Sequence, residues 1–143
     1  YIDEFLKNHN IAVISTVNSK GSPDGATIYY TSKKNFEIYF VTPLNSQKVK
    51  NIKLNKEVVL TISDEDQKES IQLRGKAYLA KNLSTIQIFE IAEKLIKGSK
   101  ETNILPFLKQ SNEEKVAVKV KPIEIRLRQY KETGMGEKLI QLS

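Results

Sequence analysis

A mainly β fold, with short antiparallel strands closing on themselves and helices at the periphery, is what this chain of 143 residues predicts. Apolar residues recur with a period of two in six to seven short runs, which is the mark of strands with one face in a core. Clusters of Gly, Pro, Asn, Asp and Ser separate these runs as turns do. The one long helical pattern is inserted between late strands, whereas crossover helices of an α/β sheet would alternate with them. An open β-sandwich is compatible with the same signals.

Taken in order, Ile2, Phe5 and Leu6 fall at helical spacing among Asp3, Glu4 and Lys7, so residues 1–8 predict a short amphipathic helix. Ile11 to Val17 (IAVISTV) is rich in β-branched residues and leads into the turn Asn18-Ser19-Lys20-Gly21. Asp24-Gly25 precedes a second strand, Ala26 to Thr31, which Lys33-Lys34-Asn35 turns into a third. In that third run Phe36, Ile38 and Phe40 alternate with Glu37, Tyr39 and Val41, and Pro43 ends it. Ser46 is then an N-cap, with Val49 and Ile52 at helical spacing.

Glu57 to Ser63 (EVVLTIS) reads as a fourth strand, followed by a polar connection, Asp64 to Glu69. Ser70 to Ala80 (SIQLRGKAYLA) is a fifth, in which Gly75 marks a bulge or a close approach of another backbone. Ser84 and Gln87 have the spacing of a capping box, and residues 85 to 97 carry an apolar stripe that Gly98 terminates. Asn103 to Gln110 (NILPFLKQ) is compatible with a lid over a pocket or with a filler of the core. Val116 to Leu127 alternates again, and Pro122 within it argues for a bend or an edge. Tyr130 to Gly136 reads as a turn, and Lys138 to Leu142 as a last strand or a packed tail. No repeat or linker divides the chain, so residues 1–143 are expected to form one domain.

Composition narrows the chemistry. The chain has no cysteine, which excludes disulfides, iron–sulfur clusters, thiolate zinc sites and cysteine nucleophiles. A single histidine, His9, rules out a histidine-rich metal site and reads as a partly exposed helix-end residue. No metal ligand set and no catalytic side chain is assigned, so difficult chemistry calls for a cofactor. No apolar run approaches the ~18 residues of a membrane span, and no signal peptide opens the chain, so the cytoplasm is the expected location. The chain begins on Tyr1 rather than Met, so residues ahead of it are expected. A net charge of +6 suits anionic partners, but the lysines are interleaved with acids along the whole length.

The stretch Phe36 to Leu54 (FEIYFVTPLNSQKVKNIKL) gathers Thr42, Ser46 and Lys48 around a helix start, where unpaired N–H groups and the positive end of the helix dipole favour an anion. A capped helix after a strand more often binds nothing. The run TPLNSQKVKNI, preceded by IYFV and followed by EVVLTI, resembles the flavin-phosphate segment of the pyridoxamine 5'-phosphate oxidase-like split-barrel family. The opening strand IAVISTV, the Gly-Ser-Pro turn and the aromatic second strand strengthen that likeness.

The resemblance implies a six- to seven-stranded Greek-key split barrel, an FMN cofactor and a homodimer with two flavin sites in its interface. It gives Thr42, Ser46 and Lys48 the phosphate, with Val41 and Gln47 beside them, and Ala26, Thr27, Ile28 and Tyr29 the ring. Gln72 and Arg74 become candidates for the ring edge or phosphate of the opposite subunit, Arg74 equally for a plain ion pair. Departures are plain too: ATIYY has no Arg or Lys for the phosphate, leaving Lys33 or Lys34 as substitutes, and IEIRLRQY lacks the Arg-Leu-Asn-Pro signature of the vitamin B6 enzyme. The implied activity is an FMN-dependent oxidoreductase acting on a small molecule. The alternatives are a non-catalytic flavin or haem binder, with His9 as haem ligand, and a basic barrel binding nucleic acid through Tyr29, Tyr30, Tyr39 and the lysines, which the scattered charge disfavours.

Overall fold

The computed structural model describes residues 1–66, 68–80 and 114–142; the helix expected at 85 to 97 and the stretch Asn103 to Gln110 lie outside them. The elements in chain order are α1 (Ile2–Asn8), β1 (Ile11–Val17), β2 (Pro23–Ser32), a 3-10 turn (Lys34–Phe36), β3 (Ile38–Pro43), α2 (Gln47–Leu54), β4 (Glu57–Ser63), β5 (Glu69–Leu79), β6 (Lys115–Lys131) and β7 (Gly134–Gln141). The strands pair antiparallel in the order β3-β2-β1-β4-β5-β6-β7, and β3 also pairs with β6. That last pairing closes the first six strands into a ring, a split barrel.

β6 makes the split. From Val118 to Gln129 it pairs with β5, but on its other side Lys115 to Val120 pair with β3 and Glu124 to Lys131 with β7. Pro122 stands in the gap between those two neighbours, where no partner asks for the N–H it lacks. The strand is therefore an edge only there, and continuous through the proline. Across from Pro122 is Gly75, at the register shift between β5 and β6. A Cβ on Gly75 would lie 2.4 Å from the carbonyl oxygen of Lys121, so the two backbones come as close as only glycine allows.

Alternation along the strands fills the barrel. Ala12, Ile14, Ile28, Tyr30, Ile38, Phe40, Leu60, Ile62, Ile71, Leu73, Val118, Val120 and Ile125 point inward and are buried, while Ile11 and Val13 on the outer face are 37% and 45% exposed. α1 adds Ile2, Phe5 and Leu6 to this core, and the Tyr30 hydroxyl donates to the Leu6 carbonyl at 2.9 Å. Burial pushes the Tyr30 phenol pKa well up, as expected for a neutral donor without a charged partner. His9 ends α1 as expected, half-buried, stacked on Phe5 at 4.2 Å between ring centroids, with Nδ1 2.7 Å from the Phe5 carbonyl.

Three expectations need correction. Phe36 does not open β3: Asn35 and Phe36 both take left-handed backbone, with φ of 62° and 61°, and close a tight turn, leaving Phe36 packed against the core from outside the strand. β2 begins at Pro23, so Asp24 and Gly25 belong to the strand. The turn expected over Tyr130 to Gly136 shrinks to Glu132 and Thr133, because β6 runs on to Lys131 and β7 starts at Gly134, whose φ of +130° suits glycine.

Candidate functional site

The helix start after β3 is built as its sequence suggests. Ser46 caps α2: its Oγ accepts from the Val49 N–H at 3.4 Å and from the Thr42 hydroxyl at 3.3 Å. The Ser46 N–H is held by the Pro43 carbonyl, and the Leu44 N–H by Glu114 just ahead of β6. The N–H groups of Gln47 and Lys48, in the first turn, have no carbonyl of their own helix to reach and point out along the axis. Lys48 is half-buried, and this burial lowers its amine pKa from the ordinary 10.5. Among the described residues it has no carboxylate within ion-pair distance. Two first-turn N–H donors, a capping hydroxyl and a partly desolvated ammonium, without an acidic partner among the described residues, are the donor types that suit an anion.

Beside it lies an open sheet edge. β2 pairs with β1 from Pro23 to Tyr29, but with β3 only through Tyr30, Thr31 and Ser32. On the β3 side, residues 23–29 therefore have no strand partner among the described residues, and because the Tyr30 N–H bonds Asn10 on the β1 side, the backbone groups of Thr27 and Tyr29 face that opening while those of Ala26 and Ile28 face β1. Thr27 is exposed and Tyr29 half-buried against Val41, whereas the Ile28 side chain is in the core and its backbone is turned to Ala12 of β1, so the opening receives neither. A hydrogen bond of 2.9 Å from Asn51 of α2 to Asp24 of β2 brings the helix against this edge. Val41 packing with Tyr29 and Asn51 bonding Asp24 thus set the end of β3 and the start of α2, with Thr42, Ser46, Gln47 and Lys48, beside the notch left along β2.

Gln72 and Arg74 do not join it within one chain. Cross-strand partners run Thr27, Val13, Thr61, Gln72 over the outer face, so β5 stands three strand spacings, about 14 Å, from β2. Going round the ring the other way, through β3 and β6, also takes three. On its own side Arg74 pairs with Glu124 at 3.6 Å, the plain ion pair weighed above. Gln72, Arg74, Glu124 and Arg126 line a small dip there, and Glu137 of β7 holds Arg126 at 3.0 Å. Lys33, a suggested substitute for the phosphate, instead sits over the Tyr39 ring at 4.7 Å, with Lys119 on the same ring at 5.9 Å. Tyr30 is buried, which removes it as a stacking platform for a base. His9 borders a recess of about 230 Å³ together with Tyr1, Glu4, Phe5, Asn8, Asp64 and Glu69. Among the described residues no group of His, Asp and Glu is arranged to hold a metal ion, and no helix is long and apolar enough to cross a membrane.

A model of the pyridoxamine 5'-phosphate oxidase family matches residues 1–129, most of the chain. The chain belongs to that family. No curated protein matches it in sequence. Solved structures share the fold of this pyridoxamine 5'-phosphate oxidase family member at low identity. General Stress Protein 26 from Bacillus anthracis str. Sterne is 18% identical with a TM-score of 0.70, over 99% of this chain and 98% of that one. An F420 reductase is 16% identical, TM-score 0.68, over 86% and 94%. HutZ, the haem storage protein from Vibrio cholerae, is 15% identical, TM-score 0.63, over 85% and 87%. At such identities the likeness is one of fold.

Residues that local reading missed are Asn51, Asp24 and Thr16, joined by hydrogen bonds under the notch, and Glu124 and Arg126 beside Gln72 and Arg74. An asparagine within a lysine-rich helix and an arginine in an alternating strand carry no local signal of such partners.

Proposed function

We propose that the protein is an FMN-dependent oxidoreductase acting on a small molecule, residues 1–143 forming one flavin-binding domain that works as a homodimer. The observation that carries this reading is the notch itself: a half-buried Lys48 beside a Thr42–Ser46 hydroxyl pair and first-turn N–H groups, next to a strand edge, with no carboxylate on that lysine and no strand on that edge among the described residues. The donor set fits a phosphate monoester, and the strand edge fits a planar heterocycle whose rim alternates donors and acceptors. Lys48, Ser46 and the N–H of Gln47 would hold the phosphate, with Thr42 fixing the Ser46 hydroxyl through its own. Of the stretch Ala26 to Tyr29, the backbone groups of Thr27 and Tyr29 would orient the ring, and Val41 and Tyr29 would exclude water from its near face. Bound flavin supplies hydride transfer at N5, so the protein needs no acid or base of its own.

The second copy enters because β5 is on the far side of the ring from β2. Gln72 and Arg74 reach a flavin in the notch only from another chain. The exposed Val13, between Thr27 and Thr61 on the outer face, and the exposed Ile11 beside Tyr29 are what that copy would cover.

The visible spectrum of the freshly purified protein tests the class, and Lys48→Ala tests the site. Flavin bands are expected, and the variant should lose most of its bound FMN, an affinity loss of about tenfold to a hundredfold, with apo unfolding almost unchanged. A haem band in place of flavin bands, or unaltered FMN retention by the variant, would contradict the reading.

A further inference from the structure

Below the notch, the side-chain amide of Asn51 makes three hydrogen bonds. Its Nδ2 donates to the Thr16 hydroxyl of β1 at 2.9 Å and to the Asp24 carboxylate of β2 at 2.9 Å. Its Oδ1 accepts from Gln47 Nε2 at 2.8 Å. Asn51 and Thr16 are 1% and 2% exposed, and with Thr42 they are the buried polar residues among those described. A buried amide left unpaired costs more than the bond it loses, so this network permits one seating of α2 on the barrel. Asn51 lies three and four residues past Lys48 and Gln47, on the same side of the helix. Fixing its amide fixes the rotation of α2 about its axis, and with it the direction of the first-turn N–H groups and the root of the Lys48 side chain.

We propose that Asn51 is the positioning residue of the anion site, locking α2 to β1 and β2 through Thr16 and Asp24 so that Ser46, Gln47 and Lys48 converge on a bound phosphate. This rests on the reading that the α2 start holds the flavin phosphate. Asn51 does not touch the ligand, and its effect is on the phosphate alone. The ring lies on strand backbone that its loss leaves in place.

The test compares dissociation constants of the flavin-free, full chain for FMN and for riboflavin, which has the same ring and no phosphate, by quenching of flavin fluorescence. The wild type should prefer FMN, and Asn51→Ala should weaken FMN about tenfold while changing riboflavin less than about twofold, collapsing the preference. A variant that keeps the wild-type preference, whatever its melting temperature, overturns the inference and leaves the phosphate reading standing. A wild type that binds the two flavins equally overturns both. If Asn51→Ala does not fold, Asp24→Ala carries the test, since it removes one acceptor of the same amide from the half-buried end of β2. It should narrow the preference at least about threefold, and Asp24→Asn, which restores an acceptor, should keep it. An unaltered preference in Asp24→Ala would then overturn the proposal.

Discussion

Lys48 is held where an ammonium is least comfortable: half out of water, with no carboxylate among the described residues to answer it. The sign of the consequence follows from its lowered pKa. The native apo protein holds this proton less firmly than the unfolded chain does, so Lys48 works against folding at neutral pH, and that penalty fades as pH rises through the lowered pKa towards 10.5. A phosphate beside it reverses the preference, because the ion pair favours the charged amine. FMN affinity is therefore expected to fall as pH rises through the alkaline range below 10.5, and Lys48→Ala should remove that fall. Titrations at several pH values measure it; a wild-type affinity as flat as the variant's would detach Lys48 from the phosphate. Thr42, Ser46 and Lys48 were legible because a cap and its neighbours lie within a few residues of one another. Asn51 was not, since the two partners that tie it to the barrel, Thr16 and Asp24, are 35 and 27 residues away in the chain.

At the scale of elements, period-two alternation carried most of the information. IAVISTV puts Ala12, Ile14 and Thr16 inside and leaves Ile11 and Val13 outside, as strand geometry requires. The same alternation misled at Phe36, where two left-handed residues continue the apolar rhythm without continuing the strand. Asn35 tolerates that conformation; nothing in a phenylalanine announces it. Gly75 and Pro122 were each legible as irregularities, but only the register shows that they answer each other across β5 and β6. Gly75→Ala is expected to destabilise the protein by about 2 kcal/mol or more, because its Cβ would meet the Lys121 carbonyl and the β6 backbone cannot yield cheaply. Gly136→Ala, whose Cβ would find its nearest atom at 3.9 Å, should be neutral or slightly stabilising. Urea unfolding of both variants measures the contrast, and equal effects would dismiss the close approach as the reason for Gly75.

For the whole molecule the decisive fact is the ring. The closing pair of β3 and β6 joins Ile38 to Val120, a contact that no local pattern foretells; the closed barrel and its splitting were legible only through the resemblance of TPLNSQKVKNI and its flanking strands. Closure sets β2 and β5 as far apart as six strands permit, and in the proposed dimer the site would be divided between the notch of one copy and the Gln72–Arg74 face of another. This account is tested most directly by subunit mixing. One chain carries Lys48→Ala, the other Gln72→Ala with Arg74→Ala, and mixed dimers are isolated from co-expression of two differently tagged chains. In the mixed dimer one site collects both defects and the other is wholly intact. Each parent should hold little FMN, while the mixed dimer binds one FMN with wild-type affinity. A mixed dimer as empty as its parents would contradict the division of the site between two chains.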